Sequence, residues 1–435
     1  MLHLTLGTSV LVQPRLDLSP ASSAQRGQSC SSTSSTHATS SHTERSKRHA
    51  RCIGQVTKYA DWMQIAAHTS PRRSSRRTRT FISLTGPAGN IGDALIRRST
   101  LDWVRGTSDE LVVYVGDAPD TWLHQLAVPT DALVLRSKRS VPRWLWMLLT
   151  APRHAVLVFE AGEVPLDRGN ALREFVFLAE TLIVRLKRGI VVRPPRGIRA
   201  PTFPSAWLHV RAARLSQVAL WRDAGSAAIV GGRRVVPDLG FAAGVRPGRS
   251  WDERDELVVS LRGSRPHPGD AWVKAVRDTA EAAELRIRAV VQVREDEQRA
   301  RELAEQLGAV FDPWGDRDAI AQEALLRERY DNARLVISDR MHVLVLAALS
   351  GAVPVELVPH PTRKIRDAFH VVGLEGVSLD SSVQDVDAMR AFLQAQLLRR
   401  GEVDEGVRRA HDELTLLEAE VRATIRAPRE RPRER

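Results

Sequence analysis

The chain has 435 residues, more than one hydrophobic core usually covers, so two domains with additional segments are expected. Hydrophobic residues make up 43% and charged residues 27%, which is typical of a soluble globular protein rather than of a membrane protein or a disordered chain. The net charge is +12, but twelve Lys or Arg residues and only three acidic residues precede Thr80. The rest of the chain is nearly neutral, so its charge does not indicate a nucleic-acid-binding fold.

Residues 1–79 form a basic leader rich in Ser, Thr and Arg. This composition buries too little apolar surface to offset the entropy of ordering, so we predict a disordered segment. The alternatives are a basic tail that associates with anionic membrane or nucleic acid, and a segment upstream of a start at Met63. Cys30 and Cys52 both lie in the leader, so no disulfide or cysteine-ligated metal is expected in the folded region. We therefore expect a cytoplasmic protein, with the inner face of the plasma membrane as an option.

The first half of the chain alternates apolar runs with amphipathic segments, a pattern that predicts a parallel α/β sheet. A strand at 81–85 leads through the turn 86–93 into a helix at 94–104. The turn contains three glycines and can bring backbone N–H groups close to an anion, but its spacing is neither a dinucleotide fingerprint nor a P-loop. The other predicted elements are strands at 111–115, 132–135, 155–159, 190–192 and 217–220, and helices near Thr121, at 143–149 and at 171–186.

Three stretches interrupt this pattern. Residues 160–163 predict a loop with two carboxylates, and residues 194–197, with two prolines, predict another loop. Residues 244–254 are rich in Pro, Gly and Arg and predict a domain linker. Trp144 and Trp146 share one short apolar helix, and we interpret both as core residues, the alternative being an interfacial membrane contact.

The second half repeats the alternation of strands and helices. The predicted strands are at 257–261, 287–293, 310–311, 335–337 and 353–358, and the predicted helices are at 271–283, 298–307 and 320–329. The fold class is therefore α/β, with Rossmann-like domains at 80–245 and 255–375. Residues 376–435 are expected to form C-terminal helices, including one at 402–425 with an apolar face, and a loose tail.

The stretch 335–374 carries the functional interpretation. A buried strand runs into Ser-Asp-Arg-Met-His at 338–342 and then into an apolar helix, and a second strand leads to Lys364. In open α/β sheets, ligands bind at the rim where the strands end. Arg340 can grip a carboxylate or phosphate through two hydrogen bonds, and His342 can give or take a proton near neutral pH. An Arg and a His at this spacing are as often plain surface or capping groups, so the motif alone leaves both interpretations open.

Six short motifs occur in the order in which the polysaccharide pyruvyl transferase family carries them, and over about 81–374 the chain resembles that family. They are the turn 89–93; Arg222, Asp223 and Ser226; Pro237 and Asp238; residues 260–262; Glu295 and Asp296; and residues 338–342 with Gly351, Pro354 and Lys364 beyond. The chain departs from the family at 160–163, where two carboxylates replace a run of glycines, and at Met341, where the family usually has Leu.

The resemblance implies two Rossmann-like domains in a glycosyltransferase-B-like arrangement. It also implies transfer of pyruvate from phosphoenolpyruvate, as a ketal, to a sugar of a cell-surface polysaccharide or glycolipid. The catalytic candidates are His342, as general acid and base, and Arg340. The donor-binding candidates are Arg262, Arg340 and Lys364, since a phosphate and a carboxylate call for several cations. The candidates for acceptor-binding or loop roles are Asn90, Asp93, Glu163 and Arg222.

No metal site and no cofactor are predicted, phosphoenolpyruvate being a co-substrate. The expected partners are phosphoenolpyruvate and a saccharide or lipid-linked saccharide, with no nucleic acid and with peripheral membrane association as an option. Two other classes of function stay open. One is a glycosyltransferase of the same fold that uses a nucleotide sugar, and the other is a non-enzymatic binding protein, for example one that binds nucleic acid through the leader.

Overall fold

Two parallel sheets, one in each half of the chain, organise the described part of the protein. The computed structural model describes residues 78–232, 234–244 and 249–427. The predicted leader, apart from Thr78 and Arg79, lies outside the described residues, as does the tail after Ala427. The predicted linker lies partly outside them.

The first sheet contains seven parallel strands among the described residues. They are β1 (Arg79–Ser83), β2 (Glu110–Gly116), β3 (Leu133–Arg136), β4 (Val156–Val158), β5 (Gly162–Pro165), β6 (Ile190–Arg199) and β7 (Val218–Trp221). Its helices are α1 (Ile91–Val104), α2 (Asp120–Gln125), α3 (Val141–Thr150), α4 (Ala171–Leu186), α5 (Ser205–Leu215) and α6 (Ala224–Val230). The strand order is β3-β2-β1-β4-β6-β5, with β7 also paired to β6. The order reverses between β1 and β4, where such sheets form a ligand crevice.

The two loops predicted at 160–163 and 194–197 are wrong in part, because β5 and a long β6 pair there. The first residues of β6 pair with β4, and its last residues pair with β5. Pro194 and Pro195 fall where the register toward β7 shifts, a position at which a strand tolerates the missing N–H donor of proline. Glu163 therefore lies in a strand instead of a loop.

The second sheet has six parallel strands in the described residues. They are β8 (Glu256–Ser260), β9 (Arg286–Val290), β10 (Val310–Asp312), β11 (Ala333–Ser338), β12 (Val353–Val358) and β13 (Ser378–Asp380). Its helices are α7 (Asp270–Ala282), α8 (Glu297–Leu307), α9 (Ala319–Asn332), α10 (Met341–Leu349) and α11 (Arg363–Val371). The order β10-β9-β8-β11-β12-β13 reverses between β8 and β11. The sheet continues beyond the domain boundary predicted at residue 375.

Two helices follow the second sheet, α12 (Val386–Leu397) and α13 (Arg400–Arg426). Helix α12 packs on α7, whereas α13 returns to the first half of the chain. There Arg422 donates to the backbone carbonyl of Arg105 at 3.1 Å, just beyond the end of α1. The apolar face predicted for this helix is buried, as at Leu414 and Leu417. The last helix therefore ties the two sheets together.

Helix α3 corrects the interpretation of the two tryptophans. Trp144 is buried, but Trp146 is 65% exposed. Residues two positions apart lie about 200° apart around a helix, so only one of them can face the sheet. Among the described residues, no helix is both long enough and apolar enough to cross a bilayer.

Candidate active site between the two lobes

Arg340 and His342 begin helix α10 at the carboxyl end of β11, next to the reversal of strand order in the second sheet. The turn is fixed to β8, because the Ser338 hydroxyl donates to the carbonyl of Ser260 and accepts from the N–H of Arg340 at 3.0 Å. The body of α10 is apolar and buried from Val343 onward. Both candidate side chains therefore project from a rigid element toward the crevice.

His342 extends from the second sheet to the first half of the chain. Its Nε2 lies 3.3 Å from Oδ1 of Asp238. On its other side it lies against Gly92 in the first turn of α1, where a Cβ would come within 2.6 Å of Nδ1. The side chain is 14% exposed. The imidazole is therefore enclosed between α1 and the turn at Asp238, in the gap between the two lobes.

Asp238 is buried and orients this imidazole. Its Oδ2 accepts from Nη1 of Arg222 at 3.1 Å, and its Oδ1 accepts from the N–H of Gly240 at 2.9 Å. Burial opposes the charge, but His342 and Arg222 outweigh it and hold the pKa of Asp238 below its ordinary value. Asp238 belongs to one of the six motifs, but the motif alone did not indicate this contact.

Three guanidinium groups gather around two buried carboxylates beyond the ends of β8, β9 and β11. Nε of Arg340 donates to Oδ2 of Asp296 at 2.6 Å, and Oδ1 of the same carboxylate accepts from the N–H of Gly263 at 3.0 Å. Nε of Arg265 lies 3.5 Å from Oδ2 of Asp339. Arg265 was not predicted, although its position three residues after Arg262 at a strand end was a usable signal.

Of the three arginines in this cluster, Arg262 is the one whose side chain makes no hydrogen bond to the described residues. Its backbone N–H donates to Oδ1 of Asp339 at 3.0 Å, but its Nε is 3.9 Å from Oδ2, too far for a hydrogen bond. Nε is buried without a hydrogen-bond partner among the described residues, while 31% of the side chain is exposed. Burial lowers the pKa of Arg262, and the positive charges of Arg340 and Arg265 add to this effect. A ligand anion would relieve that repulsion.

Lys364 does not join these arginines. Its Nζ donates to Oε2 of Glu163 at 2.7 Å, which links α11 in the second lobe to β5 in the first. Burial raises the pKa of Glu163, but Lys364 and Arg222 outweigh it, so the net shift is downward. Arg222 was expected to face an acceptor, yet its side chain is 5% exposed and lies between Glu163 and Asp238. The guanidinium of Arg222 is therefore paired with two carboxylates of the protein.

Asn90 and Asp93 lie at the beginning of α1. Asn90 caps the helix, because its side chain accepts from the N–H of Asp93 at 3.2 Å. The carboxylate of Asp93 accepts from Nη1 of Arg97 at 2.8 Å. His360, which follows β12, is 75% exposed and pairs with Asp380 outside this cluster.

A cavity of about 920 Å³ lies beyond the ends of β1, β2 and β4, at the reversal point of the first sheet. Glu160 borders it, and its Oε2 accepts from the hydroxyls of Thr85 at 2.6 Å and Ser83 at 3.3 Å. Deeper in the wall, Glu180 accepts from Nε1 of Trp144 at 2.8 Å, and burial raises the pKa of Glu180 to about 8. In the described part of the chain, no group of three or more His, Cys, Asp or Glu side chains is placed to hold a metal ion.

The sequence profile of the polysaccharide pyruvyl transferase family matches residues 90–355, which span the beginning of α1, the arginine cluster and His342. The chain belongs to this family. A comparison with curated proteins gave no match.

Solved structures of sugar-nucleotide enzymes share the fold. A Listeria monocytogenes protein assigned as a UDP-N-acetylglucosamine 2-epimerase is 14% identical, with a TM-score of 0.52 over 80% of this chain and 97% of its own. MnaA of Staphylococcus aureus with UDP is 12% identical, with a TM-score of 0.50 over 82% and 99%. The 2-epimerase of Neisseria meningitidis with UDP-GlcNAc is 9% identical, with a TM-score of 0.50 over 79% and 99%. At such identities the likeness concerns the fold alone, and it confirms the glycosyltransferase-B-like arrangement of two Rossmann-like domains.

Proposed function

We propose that this member of the family transfers pyruvate from phosphoenolpyruvate to two hydroxyl groups of a saccharide, forming a ketal. The observation that carries the proposal is the cluster of Arg262, Arg265 and Arg340 at the strand-order reversal of the second sheet, beside His342. Three cations face only two buried carboxylates there, so the cluster keeps an excess positive charge for a small anion that bears both phosphate and carboxylate.

The three arginines have different roles in binding the donor. Asp296 fixes the guanidinium of Arg340, so this side chain is preorganised before a ligand arrives. The side chain of Arg262 makes no hydrogen bond within the described protein, so its N–H groups are available for phosphate or carboxylate oxygens. Arg265 supplies a third guanidinium group at the edge of the sheet where the strands end. The proposal requires no cofactor in addition to the co-substrate.

His342 moves the protons of the reaction. The imidazole protonates the methylene carbon of phosphoenolpyruvate, and a sugar hydroxyl attacks the central carbon and loses its proton. The bond from the central carbon to the phosphate oxygen then breaks, and a second hydroxyl closes the ketal. One hydroxyl proton thus replaces the proton given to carbon, and the other leaves with phosphate. Oδ1 of Asp238 lies 3.3 Å from Nε2 of His342 and orients the imidazole for this role.

Lys364 and Glu163 link the two lobes across the gap. Because they pair across the lobes at 2.7 Å, we assign them to holding the lobes around the donor. The acceptor occupies the first-lobe cavity, which has the size of a ligand site, and Oε1 of Glu160, whose Oε2 already accepts from Ser83 and Thr85, is the oxygen there that we assign to a sugar hydroxyl.

The test is transfer itself. Purified protein is incubated with phosphoenolpyruvate and cell-envelope saccharides, and the products are analysed by mass spectrometry for the gain of a pyruvate ketal and the release of phosphate. We expect the gain with wild type and a loss of about 100-fold or more in His342→Gln. Transfer by the variant at the wild-type rate would contradict the role of His342. A rise in the thermal midpoint with UDP-sugars but not with phosphoenolpyruvate would favour a glycosyltransferase instead.

A further inference from the structure

The outer surface of helices α3, α4 and α5 exposes large apolar side chains. Helix α4 packs against both α3 and α5, so the three helices form one layer. Eight of the sixteen exposed large apolar side chains in the described residues lie on these three helices, from Trp146 in α3 to Leu215 in α5. Contiguous apolar patches on protein surfaces usually mark an interaction site. We call this surface the α3–α5 face.

Helix α4 exposes apolar side chains and buries its carboxylates, the reverse of an ordinary surface helix. Leu172, Phe175, Leu182 and Leu186 follow one another at spacings of three, seven and four residues, so they form a single stripe, and all four are exposed. The two carboxylates of the helix, including Glu180, point inward and are buried. The apolar stripe is therefore exposed to solvent, which is unfavourable unless another molecule covers it.

The exposed charged side chains on and beside α3, α4 and α5 are mostly basic. The sequence has no acidic residue between Asp131 and Glu160, and none between Glu180 and Asp223. The exposed cations that border the face are Lys138, Arg139, Arg143, Arg188, Arg211 and Arg214. Within the described residues these cations form no ion pair with an acidic side chain, so their charge is not balanced by the protein.

We infer that the α3–α5 face binds an anionic lipid bilayer. Apolar side chains such as Trp146 and Leu186 would enter the boundary between headgroups and acyl chains, and the surrounding cations would meet lipid phosphates. A second copy of the chain is the less favourable occupant. In a two-fold interface the same patch lies on both partners, so uncompensated cations would face cations.

This face adjoins the cavity of the first lobe. Leu172 lies on the exposed stripe and also borders the cavity, whose other side reaches Thr85 and Glu160 at the strand ends. A saccharide on a lipid carrier could therefore enter the cavity while its lipid stays in the bilayer. The acceptor class that follows, a lipid-linked saccharide, rests on the proposed function, whereas binding to the bilayer does not.

The test uses the full-length protein and vesicles of phosphatidylcholine alone or with phosphatidylglycerol, separated by flotation. Wild type should float with the anionic vesicles and not with the neutral ones. The double variant Trp146→Ser, Leu186→Ser should bind anionic vesicles about tenfold or more weakly, since two large side chains no longer leave water. The matched control, Leu398→Ser with Leu416→Ser, removes apolar groups that are 87% and 70% exposed elsewhere and should bind like wild type.

The leader is present in every variant, so binding that persists at the wild-type level in the Trp146→Ser, Leu186→Ser variant assigns the lipid contact to another segment and overturns the inference. A change from dimer to monomer in light scattering, with vesicle binding unchanged, would instead assign the face to a second copy. Loss of binding in this variant alone, with an unchanged thermal midpoint, supports the inference whether or not the protein transfers pyruvate.

Discussion

The imidazole of His342 lies directly against the backbone of Gly92, so that a Cβ at Gly92 would come within 2.6 Å of Nδ1 and 2.7 Å of the Cβ of His342. Real Cβ atoms do not approach their neighbours so closely, and the contact joins the beginning of α1 in the first lobe to the beginning of α10 in the second. The position of the candidate acid and base therefore depends on a residue without a side chain about 250 positions away in the sequence.

We expect Gly92→Ala to displace His342 and to lower kcat about 100-fold, because misplacing a general acid by about an ångström removes most of its effect. The fold should persist, since alanine is favourable in a helix. The matched control is Gly401→Ala, also at the second residue of a helix, where a Cβ meets open space. Steady-state transfer kinetics and circular dichroism check both variants. Wild-type kcat in Gly92→Ala would show that His342 need not occupy its observed position.

Asp238→Asn should reduce transfer and also change the acid stability of the protein. The pKa of Asp238 is lower in the folded protein than in the unfolded chain, so the carboxylate contributes stability above its unfolded pKa of about 4 and loses it as the pH falls below that value. Thermal midpoints of wild type should therefore exceed those of the variant at pH 7, and the two should converge on acidification. A difference that is independent of pH would contradict this role.

Glu180 gives the opposite pH dependence. Burial raises its pKa from 4.5 to about 8, so between these values the folded protein holds a proton that the unfolded chain has lost. Stability from this group is complete below about pH 4.5 and falls as the pH rises toward 8. Glu180→Gln keeps a neutral partner for Trp144 and should flatten the decline of the thermal midpoint over this range. An equally steep decline in the variant would show that other groups cause it.

The ion pair between Glu163 and Lys364 should matter more for catalysis than for folding. Its side chains are 26% and 34% exposed, and pairs of that kind contribute under about 1 kcal/mol to stability. Glu163→Gln and Lys364→Met should each leave the thermal midpoint nearly unchanged and raise the KM for phosphoenolpyruvate. The double variant should be no worse than the poorer single one, because either change already breaks the link. If the effects of the two single changes on kcat/KM added up in the double variant, Glu163 and Lys364 would act independently, which would contradict a shared role of the ion pair.

Local patterns in the sequence predicted much of this protein. Apolar runs bounded by turns predicted the alternating strands and helices, and the order of short motifs predicted the family, which the match over residues 90–355 confirms. The turn containing Arg340 and His342 was found because it directly follows a strand. These features are visible within a few residues of one another, so no tertiary information is needed.

Contacts between distant residues were not predictable in this way. Asp238 and His342 are separated by 104 positions, and Glu163 and Lys364 by 201, so no local pattern links them. The periodicity of α3 shows that a helix has two faces but not which of them another element covers, so Trp146 was misassigned to the core.

Donor binding by Arg262→Ala tests the central claim most directly, because the guanidinium makes no hydrogen bond within the described residues and its removal should not disturb the fold. Calorimetric titration with phosphoenolpyruvate should show affinity reduced about tenfold or more in this variant, as expected for a lost charged hydrogen bond. The control Arg277→Ala removes an exposed guanidinium from α7 in the same lobe and should bind like wild type. Undiminished affinity in Arg262→Ala would contradict the assignment of the arginine cluster as the donor site.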